Sequence, residues 1–253
     1  SSMNNSDEAA FAHYSGSTYV SAFNSNYNDN AYIGFMYGQA GSSDYASTHA
    51  NTNKSTILTN LETWYTNNLT SYADKLADTI WCNDKSTFTT YASGSAYGTG
   101  LGYGTNLTGY GAFKRVKGEG GKDDVEPSLI CPNDNNGGKL SKFTVSDTTN
   151  GNGNLTYKIG LLTADEVEFV GGMFNSYNYS TFLEENTGNI WWSTMSSAGY
   201  IGNYAWNLII GHGFMNTGSV NDTKNALRPA IALTSSTTIS GGSGTSEDPY
   251  VVK

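Results

Sequence analysis

Between residues 188 and 233 the chain reads GNIWWSTMSSAGYIGNYAWNLIIGHGFMNTGSVNDTKNALRPAIAL. Three apolar runs lie in it: one opened by Trp191 and Trp192, one at 204–210, and one at 227–233 that starts beside Arg228 and Pro229. Each is short and lies between stretches of Gly, Asn, Ser or Thr, the pattern of a buried strand between turns. The residues between the runs are Asn, Ser, Gly, Thr and Tyr. They can reach a partner, yet carry no obvious chemistry. This stretch predicts a framework of strands that displays an adhesive surface, and it argues for a binding module over an enzyme.

The rest of the composition points the same way. Charged residues make up 14% of the 253, against ~25% in ordinary soluble domains. Solubility therefore rests on amides and hydroxyls. With 18 Tyr and 30 Gly, the chain has the mixture that binding loops favour, rigid amphipathic rings beside adaptable hydrogen-bonding groups. A net charge of −9 with only 13 Lys and Arg excludes a phosphate-neutralising stripe, so nucleic acid is not an expected partner. No apolar run is long enough to span a bilayer. The Ser1-Ser2-Met3 start reads as a cut end, and membrane contact is expected only through a removed N-terminal segment.

Cys82 and Cys131 sit in similar contexts, IWCND and LICPND. In an exported chain they pair as a disulfide; in a cytosolic one they are two buried thiols. Neither has the CxxC or His neighbours of a zinc site.

Taken in order, the chain predicts a short strand at 17–23 and a buried strand at 31–37. A helix at 53–69 is marked by Ile57, Leu58, Leu61, Trp64 and Tyr65 on one stripe, with Asn53 or Ser55 as cap. A second helical piece is expected at 72–79, leading into Ile80-Trp81-Cys82. The Gly/Tyr/Thr-rich stretch 87–111 lacks any phosphate-binding signature and reads as a long surface loop. KRVKGEGGKDDVEP, within 113–131, reads as a solvated excursion. A strand at 157–162 delivers the chain to Thr163-Ala-Asp-Glu166, a capping box that starts a short helix stopped by Gly171-Gly172. A terminal strand is expected within 247–253, often placed beside the N-terminal strand.

Chemistry is sparse. His13, His49 and His212 stand in no nucleophile signature, and GxSxG is absent. His49 reads as a loop residue and His212 as a turn tip. Asp165, Glu166, Glu168, Glu184 and Glu185 are acids without a spacing that singles out a catalytic pair. Around Asp134 and Asp147 the PNDNNGG and SDTTNGNGN segments lack the bidentate acid of a calcium loop, and Asx turns are the default. No cofactor, no metal and no enzymatic activity are expected.

Three segments taken together carry a resemblance: Leu161-Leu-Thr-Ala-Asp-Glu-Val, Trp191-Trp-Ser-Thr-Met-Ser and Leu227-Arg-Pro-Ala-Ile. In that order they resemble the C-type-lectin-like fold of the formylglycine-generating-enzyme kind. With NAYIGFMY at 30–37, HANTN at 49–53 and stretches 77–84, 146–154 and 241–250, the chain is similar to exported, prepilin-type surface proteins of anaerobic gut bacteria. The resemblance implies export and display on a cell surface or pilus. It implies an α+β fold with short helices on small twisted antiparallel sheets, as a single domain 1–253 with a core at about 157–233 on which 1–156 packs. It carries no sulfatase-activating chemistry, because no Cys follows Cys131, and no calcium-dependent sugar binding, because the Glu-Pro-Asn and Trp-Asn-Asp patterns are missing.

Some relatives of this fold are diversified by retroelements that mutate adenines in AAY codons. Tyr200, Ile201, Asn203, Tyr204, Asn207, His212, Phe214, Asn216, Thr217, Ser219, Asn221, Thr223 and Asn225 can all arise from such codons; Trp206, Met215 and Lys224 cannot. The resemblance thus implies a variable ligand-binding face at these thirteen positions, held by Trp191, Trp192, Met195 and Trp206, with Arg228 bonded to strand-end carbonyls or a carboxylate. The expected partner is a protein or glycan, with pilus subunits as a further partner. The rival readings are a structural pilin-like subunit without a dedicated ligand and a degenerate enzyme of the same fold.

Overall fold

The structure, a computed structural model, describes residues 10–88, 103, 108–118, 125–134, 136–179, 181, 183–184, 187, 190–245 and 248–253. It is α+β, with few short helices and small antiparallel sheets. In chain order the elements are β1 (His13–Tyr14), β2 (Ser17–Thr18), β3 (Met36–Tyr37), α1 (Tyr45–Thr48), β4 (Asn53–Lys54) and α2 (Thr56–Asn68). Then come β5 (Trp81–Cys82), β6 (Thr87–Phe88), β7 (Thr108–Tyr110), α3 (Gly111–Lys117), β8 (Lys142–Phe143) and α4 (Ala164–Phe169). The last five strands are β9 (Trp192–Ile201), β10 (Tyr204–Gly211), β11 (Phe214–Ser219), β12 (Ile239–Gly241) and β13 (Val251–Val252).

The central sheet has the order β11-β10-β9-β7-β6, every pairing antiparallel. Its long strands are the first two apolar runs read from the sequence. Each joins the next through two residues of positive φ, Gly202-Asn203 and then His212-Gly213. Two left-handed residues in a row give a turn whose twist matches that of the flanking strands, so both hairpins close tightly. Register shifts beside Asn207 bend β10 against β9, as bulges do.

Two apolar clusters hold the molecule. One gathers α2, through Ile57, Leu58, Leu61 and Tyr65, with Phe23, Ile33, Phe35, Phe143, Met195 and Tyr200. The other packs Ala112, Phe113 and Val116 of α3 and Ala164 and Val167 of α4 against Trp192, Leu208, Ile210 and Met215. Local signals set the helix starts: the Ser55 hydroxyl accepts from the Leu58 amide, and Thr163 and Glu166 form the predicted reciprocal box. Gly171, at φ +96°, follows α4 closely. Cys82 and Cys131 are joined, closing a loop of 49 residues.

Several expected elements are built differently. Residues 31–37 are a 3-10 turn, Asn30–Tyr32, capped by Asp29, followed by a two-residue strand; Ala31, Ile33 and Phe35 are buried without a continuous ladder. The 72–79 helix is a 3-10 helix at Thr70–Lys75. The strands expected at 157–162 and 227–233 are extended segments joined by single bridges, Gly160 to Ala230 and Leu76 to Leu233. The 17–23 strand is β2 plus one bridge from Val20 to Ala226. β13 pairs with β12, not with the N-terminal strand.

The ends of the expected loop at 87–111 are β6 and β7, which complete the central sheet, so the sheet draws on residues well before 157; the loop's middle lies outside the described residues. The excursion at 113–131 begins as α3, whose apolar side chains are buried among its charges; 119–124 lies outside the described residues. His49 lies in the turn after α1, as expected of a loop residue, but it is buried.

Candidate binding surface

The central sheet does not present the thirteen candidate positions as one face. Tyr200, Asn207 and Asn225 are buried. The Tyr200 hydroxyl donates to the Asn28 carbonyl at 3.1 Å, and Asn207 lies at the bulge between Ser197 and Gly218. Those three belong to the framework, because their backbone pairing turns the side chains inward. The remaining ten divide between two ends of β10, whose seven residue steps span ~24 Å at ~3.4 Å each. Ile201, Asn203 and Tyr204 lie at one end with Ser219, Asn221 and Thr223. His212, Phe214 and Asn216 lie at the other, with Thr217 between.

At the first end the Tyr204 ring stacks on Tyr27, centroids 4.8 Å apart, and Asn203 tops the turn. This is a small exposed surface with one half-covered ring.

The second end is larger and aromatic. Residues 173–178 run beside β11, through the Phe174–Met215 bridge and the Asn178 amide, which donates to the Gly213 carbonyl at 2.6 Å. That path brings Tyr177 and Tyr179, exposed at 63% and 65%, to the His212-Gly213 turn. Tyr177 meets Phe214 edge-on at 4.7 Å and lies nearly parallel to Tyr179 at 5.7 Å. Trp191 contacts both Phe214 and His212, each at 5.2 Å. Five rings therefore form one continuous patch.

Two glycines make room for it. A Cβ on Gly213 would meet the Tyr179 ring at 2.6 Å, and one on Gly211 would meet Trp191 at 2.9 Å. At Gly213 a φ of +79° adds a backbone reason.

Beneath the patch, the Glu184 carboxylate accepts from the Gly213 amide at 3.0 Å. Burial pushes its pKa up, against that hydrogen bond and the nearby charges of Arg228 and His212. Arg228 donates to the Leu183 carbonyl and lies 4.7 Å over the Trp192 ring. Burial lowers its pKa to about 10, partly opposed by Glu184. Arg228 bonds a carbonyl, as expected, but Leu183 lies in a turn and not at a strand end; the bond ties the segment before β9 to the framework. Tyr177 and Tyr179 were not among the thirteen positions, and their only sequence signal was a Tyr-x-Tyr repeat in a polar stretch.

A second concavity, about 470 Å³, lies beside the disulfide. Its walls include Trp81, Leu129, Ile130 and Ile231, and its floor is an ion-pair network. The Arg115 guanidinium donates two parallel bonds to Asp165, at 2.6 and 2.9 Å, and a third to Asp84 at 2.8 Å. Burial pulls the guanidinium's pKa down, and the two acids more than offset this, leaving it above its ordinary value. Burial raises Asp84 despite Arg115. Each guanidinium nitrogen is engaged, so the floor holds helices α3 and α4 together.

Among the described residues Glu168 keeps a buried Oε2 without a hydrogen-bond partner, while three other acids are structural in their contacts. Glu166 caps α4; Asp134 accepts from the Asn136, Gly138 and Leu140 amides; Asp147 accepts from Thr149 and Asn150. These are Asx-type turns. Glu185 lies outside the described residues. Among the described residues no three His, Cys, Asp or Glu side chains gather as metal ligands, and no helix is long and apolar enough to cross a membrane. Comparisons of the chain with protein-family models, with curated proteins and with solved structures find no match.

Proposed function

We propose that this chain is an exported, surface- or pilus-displayed recognition protein of C-type-lectin-like fold, and that it binds a protein or glycan through the aromatic end of its central sheet. One observation carries the reading: Tyr177, Tyr179, Trp191, His212 and Phe214 form a continuous patch on a tight turn anchored to a buried framework. Large rings with few rotatable bonds bury much area on binding at small entropic cost. The framework under them is rigid, which leaves the tips free to differ between copies of the protein. The joined cysteines fit an oxidising compartment. The reading needs no cofactor, metal or catalysis.

A structural pilin-like subunit is the second reading, favoured by the C-terminal ribbon. Ile239, Tyr250, Val251 and Val252 are exposed there, and such a strand edge is a template for pairing with another copy. Sequencing codons 188–233 across a natural population separates the two. The recognition reading expects adenine-position changes concentrated at 201, 203, 204, 212, 214, 216, 217, 219, 221 and 223, with Tyr200, Asn207 and Asn225 held. Uniform drift or invariance favours the structural subunit.

A further inference from the structure

Lys85 is entirely buried, an unusual place for an ammonium group. Its Nζ contacts three acceptors: the Met36 carbonyl at 2.7 Å, the His49 carbonyl at 3.4 Å, and the side-chain Oδ1 of Asn51. Among the described residues no carboxylate forms an ion pair with it. The Phe143 ring lies 5.9 Å from Nζ, and the Gly34 backbone presses on the lysine stem, where an added Cβ would come 2.9 Å from Cε. Asn51 is equally constrained. It holds a left-handed φ of +56°, is buried, and its Nδ2 donates to the Leu140 carbonyl at 3.2 Å. Amine and carboxamide thus meet inside the buried core, each held by the backbone around it.

We propose that Lys85 and Asn51 join in an intramolecular isopeptide bond that the folded chain makes on itself. The Nζ lone pair adds to Cγ of Asn51, forming a C–N bond. The bond from Cγ to Nδ2 breaks, and Nδ2 leaves as ammonia with a proton given up by the attacking nitrogen. No oxidant, reductant or further reactant enters, and a primary amide is exchanged for a secondary one.

The contacts suit each stage. Protonated, Nζ donates to all three acceptors; neutral, it has two N–H bonds and a lone pair, and with Met36 and His49 taking the hydrogens the lone pair is left to the Asn51 amide. Oδ1 is bonded to Cγ, so a nitrogen held against Oδ1 lies beside the carbon it would attack, and fixed proximity of this kind replaces a slow bimolecular encounter by a fast internal one. After reaction the single remaining N–H keeps the Met36 carbonyl.

Burial gives the amine a substantial neutral fraction near neutral pH. Burial lowers the Lys85 pKa to about 7, against the longer-range charge of Asp134. His49, whose carbonyl Nζ also reaches, is held well below its ordinary pKa by burial and then by the Lys85 charge. The bond would join residue 51 to residue 85, three positions from the Cys82–Cys131 disulfide, so that 82–85 would be anchored covalently at both ends.

Intact mass spectrometry of the full folded chain, followed by tandem sequencing of its proteolytic fragments, tests this. The expected mass is that of the sequence with its disulfide, less one ammonia, with a branched peptide linking Lys85 to Asn51. Recovery of Lys85 and Asn51 in separate linear peptides overturns the proposal. In Lys85→Arg the ammonia should return to the mass; a loss that persists there comes from elsewhere and also overturns it. Should that variant fail to fold, the wild-type fragment map decides alone.

Discussion

Arg115→Met removes the cation from between two acids whose side chains are 2% and 4% exposed. In the native protein Asp165 also accepts the Ser128 amide at 2.9 Å, and Asp84 accepts the Ser86 amide at 2.8 Å. Those bonds persist in the variant, but two buried carboxylates are left without a counter-charge. Breaking a buried pair in this way costs about 3–5 kcal/mol, far more than the methionine can regain by packing. The sign with pH follows. Without Arg115 both acids have folded-state pKa values raised above their unfolded ones, by burial and mutual repulsion. Their contribution is therefore intact below the unfolded carboxylate range and is lost as pH rises through the folded values. Urea unfolding should show the variant's deficit largest near neutral pH and shrinking towards pH ~4. Adding Asp84→Asn and Asp165→Asn should recover more than half of it. A deficit below about 1 kcal/mol, or one independent of pH, would refute the reasoning that this network is buried and locks α3 to α4.

Other expectations follow from single sites. Burial, reinforced by Asp165, raises the Glu168 pKa to about 7, so wild-type stability should fall as pH climbs from the unfolded carboxylate range to about 7. Glu168→Gln should flatten that limb by about 1 kcal/mol after discounting for partial exposure, read from unfolding at pH 4.5 and 7.5. Ser55→Ala, which removes the α2 cap, should cost about 1 kcal/mol by denaturant unfolding. Reducing the disulfide reopens a 49-residue loop and should cost about 4 kcal/mol on the chain-entropy model; no change in the unfolding midpoint with reductant would contradict that. Gly213→Val should destabilise by about 1–3 kcal/mol, because it strains the turn and displaces the Tyr179 ring, which thermal unfolding would register.

What could be read from the residues alone was mostly local. The Ser55 and Thr163 caps, the glycine stop after α4 and the two apolar runs that became β9 and β10 each depend on neighbours within a few positions. The misreadings share a cause. Residues 227–233 have the composition of a strand, yet whether a strand forms depends on a partner, and here the partners supply single bridges at Gly160 and Leu76. Ala112, Phe113 and Val116 carry a helical stripe, but the surrounding lysines and acids masked it, and only the ion pairs from Arg115 to Asp84 and Asp165 explain why that charge is inside. Lys85 and His49 look like solvent-facing residues in sequence; burial of a polar group is a property of the assembled core.

The binding surface was half legible for the same reason. Alternation along a strand depends on bulges that no spacing reveals, so Asn207 and Tyr200 could not be told from their exposed neighbours. Tyr177 and Tyr179 join the patch only because 173–178 is drawn alongside β11. Trp191 was expected as an anchor, yet it lies in neither buried cluster and contributes its ring to the surface patch.

The most direct test of recognition at this surface is binding of the full chain to an array of glycans and extracellular proteins, beside Tyr177→Ser/Phe214→Ser and Tyr204→Ser variants. The account predicts that wild type and Tyr204→Ser share their signals, while the double variant loses them by tenfold or more, about 1.4 kcal/mol, with its thermal unfolding unchanged in cooperativity. Equal binding by the double variant and wild type would contradict it.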